Sequence, residues 1–229
     1  MRVAALYSGG KDSTFSIFKA KKVGHEVVSL ITMLPSADDS PLFHYPNIWL
    51  TKILAEAMQI PITRRSITYN GSKKTEFQAL EKAVKKVKSD YDIQAIVHGG
   101  ISSKFQRDIF EKICCRNDLA ALAPIWNIEP TAYMYSLIDE KFHVKIVGVS
   151  AMGLERSWLG KSLDEASICQ LESIGKKYRF NIAFEGGEAE TLVLDCPLFT
   201  KKLDIKNANV HWDGQRGIFE ILEVALIPK

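Results

Sequence analysis

Six consecutive residues near the amino end, Ser8-Gly9-Gly10-Lys11-Asp12-Ser13, have the types and order that a phosphate site needs. They follow a short apolar run at 3–7 and precede apolar residues at helical spacing, Phe15, Ile17, Phe18 and Ala20. Glycines let the backbone turn with positive φ and let a ligand come close to it. The first N–H groups of the helix point outward unpaired, and its dipole places positive charge there, so an anion fits. Lys11 adds a point charge, and Ser8 and Ser13 offer hydroxyl donors. Asp12 would repel phosphate unless it caps the helix, orients a neighbour, or holds a magnesium ion that bridges to the phosphates. A plain turn with an N-cap accounts for two or three of the six residues but for neither the lysine nor the second serine. The run is not Gly-x-x-x-x-Gly-Lys-Ser/Thr, nor is it Gly-x-Gly-x-x-Gly.

Two further clusters carry chemistry. Gly99-Gly100-Ile101-Ser102-Ser103-Lys104-Phe105-Gln106-Arg107 closes an apolar strand, and Ala123-Pro124-Ile125-Trp126 follows it. The glycine pair admits a ribose or an α-phosphate, and Ser102 or Ser103 can cap the next helix; a simple turn plus N-cap is the competing reading. The run Glu185-Gly186-Gly187-Glu188-Ala189-Glu190-Thr191 sets three carboxylates around two glycines. Buried and ionised together they would repel one another, so they suit a bound cation, a cationic substrate or general-base work. An acidic surface turn before an apolar strand explains the same pattern without chemistry.

The elements that must position these clusters alternate. Strands are expected at 3–7, 25–34, 62–67 and 93–98, with helices following Ser13, at 47–59, at 73–89 and at 102–116. That order predicts βαβ units: an α/β fold with a doubly wound, mostly parallel sheet and helices on both faces. The texture changes within 118–128. Beyond it come helices at 131–140 and 163–178, a strand at 144–150, and a hairpin from 208–212 and 217–227 around Asp213-Gly214-Gln215. The expected organisation is a main domain over 1–122 and a smaller α+β lobe over 123–229.

Composition narrows the classes. With 229 residues, 46% hydrophobic and 25% charged, the chain reads as an ordinary globular protein able to bury a core. A net charge of +3 is too small to indicate nucleic-acid binding, and Lys82, Lys85, Lys86 and Lys88 beside Glu81 read as a solvated helix face. Cys114, Cys115, Cys169 and Cys196 contain no Cys-x-x-Cys, which points to thiols in a reducing compartment. The loop begins too early for a cleaved leader and no apolar run is long enough to span a membrane, so a cytoplasmic location with no membrane partner is expected.

The first cluster resembles the PP-loop, Ser-Gly-Gly-x-Asp-Ser, of the ATP pyrophosphatase superfamily. Together with the two later clusters it is similar to the diphthine–ammonia ligase family, whose hallmarks are Gly-x-Ile-Ser-Ser-x-aromatic-Gln-Arg, Leu-Ala-Pro-Ile-Trp, and the acidic run continued as Thr191-Leu192-Val193-Leu194-Asp195-Cys196-Pro197-Leu198-Phe199. The motifs occur in the family's order from Ser8 to Phe199. The resemblance implies a nucleotide-binding lobe of HUP type with ATP as co-substrate and Mg2+ as its metal. It implies ATP-dependent amidation, by ammonium, of the diphthine carboxylate of elongation factor 2, through an adenylate with release of AMP and pyrophosphate. Ser8, Gly9, Gly10, Lys11, Asp12, Ser13, Gly99, Gly100 and Ser102 are then nucleotide contacts, with Asp12 on the metal and Met33 marking the strand end, 32–34, where adenine would lie on backbone groups. Lys11, Asp12, Glu185, Glu188 and Glu190 are the implied catalytic set. Ser103, Gln106, Arg107, Gly186, Gly187 and Thr191 are implied on the substrate side. Carboxylates and aromatic faces suit the fixed trimethylammonium of diphthine.

The chain departs from the family pattern at Asp108 and at Asn127-Ile128-Glu129-Pro130, and it stops soon after the shared motifs. His44 either lies near the nucleotide or fills a loop, and the loop is the favoured reading. No glutaminase-like nucleophile set is evident, which favours ammonium itself. The competing functions are a tRNA-modifying PP-loop enzyme, which would call on cysteine sulfur and a strongly basic surface, and a nucleotide-binding module without catalysis. No direct nucleic-acid contact is expected.

Overall fold

The computed structural model describes residues 1–35, 47–67 and 73–229; His44 lies outside them. The chain divides into two compact units, one of residues 1–8 and 12–126, the other of Gly9–Lys11 with 127–229.

In the first unit the strands are β1 Arg2–Leu6, β2 Glu26–Pro35, β3 Ile62–Ile67, β4 Ala95–Val97 and β5 Ala120–Leu122. They form one sheet in the order β3-β2-β1-β4-β5, and every pairing is parallel. Parallel neighbours need crossovers, and the helices supply them: α1 Lys11–Lys22, α2 Thr51–Met58, α3 Lys73–Tyr91 and α4 Lys104–Arg116. Ala4, Ile31, Met33, Ile67 and Ile96 join Leu80, Val84 and Val87 of α3 and Phe110 and Ile113 of α4 in one core cluster. Val3, Ala5, Leu30 and Val97, which alternate with them along the strands, are equally buried. Both faces of the sheet are therefore covered, and the strands read as continuous apolar runs for that reason.

The chain works outward from β1 through β2 to β3, then returns to lay β4 and β5 on the other side. The strand order thus reverses between β1 and β4. In open parallel sheets ligands bind at the carboxyl ends of strands at such a switch point. The Ser8 loop leaves β1 and the Gly99-Gly100 pair leaves β4, which places both first-unit clusters there.

The second unit holds α5 Pro130–Asp139, β6 His143–Val149, α6 Glu165–Tyr178, β7 Ala189–Asp195, β8 Lys201–Trp212 and β9 Gly217–Pro228. Its sheet is antiparallel in the order β7-β6-β9-β8. The expected hairpin is present, closed by Gly214 at φ 106 and by the Asp213 carboxylate, which accepts from Gln215 N and Arg216 N. Its first strand starts at Lys201, seven residues before the expected 208.

The helices start where capping residues stand. Glu129 caps α5, accepting from Thr131 N at 3.0 Å and Ala132 N at 2.6 Å, with Pro130 in the first turn. The Asn-Ile-Glu-Pro departure from the family pattern thus builds a helix start. Asp164 caps α6 in a reciprocal box: its carboxylate accepts from Ser167 N at 2.7 Å, and Ser167 Oγ accepts from Asp164 N at 2.8 Å. Asp164→Ala is expected to lower stability by about 1 kcal/mol, read as a lower urea midpoint. Those hydrogen bonds hold the Asp164 carboxyl below its usual range. Its contribution is present above the ordinary carboxylate pKa and is lost as pH falls through the depressed value. A midpoint difference between wild type and Asp164→Ala that does not shrink in acid would contradict the cap.

Candidate active site

In the first unit the candidate residues lie at two strand ends. Tyr7 at the end of β1 is fixed to β2 on both sides of its peptide: Tyr7 N donates to Ile31 O at 2.9 Å, and the buried Thr32 hydroxyl donates to Tyr7 O at 2.6 Å. Ser8 and Ser13 then clip the loop shut. Their hydroxyl oxygens are 3.1 Å apart, and Ser8 N donates to Ser13 Oγ at 3.3 Å. Asp12 is half-buried in the first turn of α1. Met33 points its side chain into the core cluster, so what the β2 end offers a ligand there is backbone.

Gly99 approaches that first turn so closely that a Cβ on it would lie 2.7 Å from Ser13 N and 2.8 Å from the Asp12 carbonyl carbon. Gly100 N donates to His98 Nδ1 at 3.2 Å. Beyond the pair, Ser102 is exposed, while Ser103 caps α4 by accepting from Gln106 N at 3.4 Å. Arg107 donates from Nε to Glu111 Oε1 at 2.6 Å and sets its guanidinium 4.7 Å from the centre of the Trp126 ring. Asp108 is exposed on α4.

The second unit brings the glycine–lysine segment together with the acidic run. Gly9 O accepts from Val193 N at 3.0 Å, and Lys11 N donates to Thr191 Oγ1 at 3.2 Å. Between them Gly10 is half-buried. The Lys11 side chain is 1% exposed. Its ammonium donates to Ala183 O at 2.5 Å and lies 5.6 Å and 5.5 Å from the centres of the Tyr133 and Phe184 rings. The Ala183 carbonyl and the two aromatic faces are among the partners that let the ammonium be buried.

The three carboxylates of the acidic run are not equivalent. Glu188 accepts from Gly186 N at 2.8 Å and from Asn181 N at 3.1 Å, so both oxygens hold the turn. The carboxylate lies close over Gly186, where a Cβ would meet Glu188 Oε1 at 2.8 Å and make that side chain shift. Gly187, at φ 79, completes the turn, and its carbonyl accepts from Ser150 Oγ at 2.5 Å. Glu185 is half-buried in the turn, and Glu190 stands on β7 opposite Gly148 of β6. Sequence reasoning did not single out His98, Tyr133, Ala183 or Phe184. Of these only His98 carried a signal, as a polar residue ending an apolar strand beside the glycine pair.

Among the described residues no group of three or more His, Cys, Asp or Glu side chains could hold a metal ion by itself. Asp12 at a helix N-terminus instead fits magnesium, which commonly takes one or two carboxylates and completes its shell with phosphate oxygens and water.

Comparison with known proteins agrees with these motifs. Residues 1–121 match the diphthamide synthase N-terminal domain and residues 129–227 the diphthamide synthase C-terminal domain. The diphthine–ammonia ligase of Danio rerio is 34% identical over 231 residues, covering 93% of this chain and 90% of that protein. That of Homo sapiens is 34% identical over 227 residues, covering 92% and 85%. The chain belongs to the diphthine–ammonia ligase family. A solved structure, the predicted subunit of a tRNA methyltransferase from Methanocaldococcus jannaschii, superposes with a TM-score of 0.41 at 18% identity, covering 83% of this chain and 95% of that one.

Two cysteines of this diphthine–ammonia ligase family member are poor candidates for sulfur chemistry. Cys114 and Cys196 are buried, and burial pushes each thiol up to about 12, which leaves almost no thiolate at neutral pH. Cys115 and Cys169 are exposed. Replacing Cys114 and Cys196 by alanine and Cys115 and Cys169 by serine is expected to leave turnover within about threefold of wild type. Loss of turnover in a folded quadruple variant would revive a sulfur relay. No helix among the described residues is long and apolar enough to cross a membrane.

Proposed function

We propose that this protein is an ATP-dependent ligase that joins ammonium to the diphthine carboxylate of elongation factor 2, through an acyl-adenylate, with release of AMP and pyrophosphate. The observation that carries the reading is the Ser-Gly-Gly-Lys-Asp-Ser loop at the carboxyl end of β1, at the sheet's switch point, in a chain that matches diphthine–ammonia ligases along nearly its whole length.

A carboxylate does not react with ammonia, because its oxygen is a poor leaving group. Attack of the carboxylate oxygen on the α-phosphorus of ATP forms the P–O bond of the adenylate and breaks the bond to pyrophosphate. The ammonia lone pair then adds to the acyl carbon, and AMP departs. Ser8, Gly9, Gly10 and Ser13 with the α1 N-terminus are assigned to the β- and γ-phosphates, and Gly99, Gly100 and Ser102 to the ribose and α-phosphate. Backbone at Met33 is assigned to adenine. Lys11 fixes a positive charge beside the loop in a poorly solvated setting, where it stabilises charge on departing pyrophosphate. Magnesium held by Asp12 would neutralise phosphate charge as the α–β bond breaks.

Residues 1–122 are assigned to nucleotide binding and 123–229 to the second substrate, with Gly9–Lys11 shared by sequence with one and by packing with the other. Ser103, Gln106, Arg107, Gly186, Gly187 and Thr191 are assigned to that substrate. Glu188 is a positioning residue, since its carboxylate is occupied by the turn. Glu185 and Glu190 are assigned to the trimethylammonium or ammonium cation, one of them accepting the proton that makes ammonia nucleophilic. We assign the protein to the cytoplasm, where elongation factor 2 works.

The deciding assay combines the protein with ATP, magnesium, ammonium and diphthine-bearing elongation factor 2. AMP, pyrophosphate and an amidated residue are expected in equal amounts. ADP in place of AMP would overturn the adenylate mechanism, and AMP formation independent of the factor would overturn the substrate.

A further inference from the structure

His98 stands just beyond β4 and belongs to none of the motifs. Its ring is 2% exposed and packs against Phe110 with ring centres 4.9 Å apart. Its backbone N donates to Leu122 O at 2.9 Å, which carries the β4–β5 pairing one residue past the strand. Its Nδ1 accepts the Gly100 N–H at 3.2 Å. A ring nitrogen that accepts carries no proton, so the hydrogen of the neutral imidazole is on Nε2. Burial agrees with neutrality, pushing the imidazolium pKa down to about 4.

The two glycines are fitted to what surrounds them. A Cβ on Gly100 would lie 3.1 Å from His98 Nδ1 and 3.2 Å from its Cε1, so the ring packs tightly against the glycine and would have to give by a few tenths of an ångström to admit a side chain. A Cβ on Gly99 would collide with the backbone of Asp12 and Ser13. The imidazole therefore braces a turn that lies in backbone contact with the first turn of α1.

We propose that His98 is a positioning residue of the nucleotide site, acting through the Nδ1 acceptor, which holds the Gly99-Gly100 turn against the first turn of α1. The inference rests on the ATP reading above. It assigns His98 no contact with ATP and no proton transfer; its effect falls on nucleotide affinity, because the turn places backbone groups at the ribose and α-phosphate.

The test compares His98→Asn, His98→Gln and His98→Leu in the full chain by ATP affinity, turnover and thermal unfolding. Asparagine places an amide oxygen near the position of Nδ1, whereas glutamine reaches the position of Nε2. Asn is expected to bind ATP within about threefold of wild type. Gln and Leu are expected to bind about tenfold more weakly, the effect of one lost hydrogen bond, with turnover at saturating ATP within about threefold. Equal affinities for Asn and Gln would overturn the proposal, as would a loss that follows unfolding temperature and ignores acceptor position. If Leu does not fold, the Asn and Gln pair still decides. Wild type that binds no ATP would instead overturn the nucleotide reading itself, a result visible before any variant is made.

Discussion

Lys11→Met is expected to lower the amidation rate by about 10²-fold, the cost of removing the charge assigned to the departing pyrophosphate, and to destabilise the protein by about 1–3 kcal/mol. The second effect follows from geometry. The Lys11 ammonium is buried, donates to Ala183 O at 2.5 Å, and lies against two aromatic rings. Methionine matches the stem but leaves that carbonyl without the lysine donor. Pyrophosphate release under saturating ATP measures the first effect and urea unfolding the second. Turnover within threefold of wild type in a folded Lys11→Met protein would remove Lys11 from the catalytic set and leave it a packing residue.

Gly99→Ala is expected to weaken ATP binding by about tenfold to a hundredfold while the rest of the first unit stays folded. The added methyl would sit 2.7 Å from Ser13 N and 2.8 Å from the Asp12 carbonyl carbon. Both are backbone atoms, so relief requires the β4 turn or the first turn of α1 to move, at a cost of about 1–3 kcal/mol. Either movement displaces the N–H groups assigned to phosphate. Calorimetric titration with ATP reads the loss, and far-ultraviolet dichroism reports the helices. Unchanged affinity would mean that the close approach of the two turns is unrelated to nucleotide binding.

Much of this was legible because local chemistry spoke for it. The parallel strands are buried on both faces and show as apolar runs, and the Ser8 loop declares itself by glycine, lysine and serine between a strand and a helix. Other elements were hidden for physical reasons. β5 is three residues long, too short for any period. β8 was shortened in the expectation because Lys201, Lys202, Asp204, Lys206, Asn207 and Asn209 solvate an edge strand and leave only Leu203 and Ile205 as apolar markers before Ala208. Helix α2 was expected from 47, but Asn47 is left-handed at φ 64 and a 3₁₀ turn at Ile48–Leu50 comes before it.

The acidic run divides in the same manner. Its composition indicated cation chemistry, yet nothing in the order Glu-Gly-Gly-Glu-Ala-Glu tells which carboxylate the backbone will use. The fold decides it: the Glu188 carboxylate reaches the N–H groups at 181 and 186 and lies close over Gly186. The burial of Lys11 was beyond reach, since its partner is a carbonyl 172 residues away and a carbonyl leaves no mark on residue type.

The placement of Gly9–Lys11 in the second unit also bears on how the molecule comes into being. Gly9 and Lys11 are joined to Val193 and Thr191 of β7, and the Lys11–Thr191 bond spans 180 positions of the chain. Closing so long a loop costs entropy before any contact repays it, and non-local pairing of this kind slows folding. The hydrogen bonds of Gly9 and Lys11 to β7 are therefore expected to form late in folding.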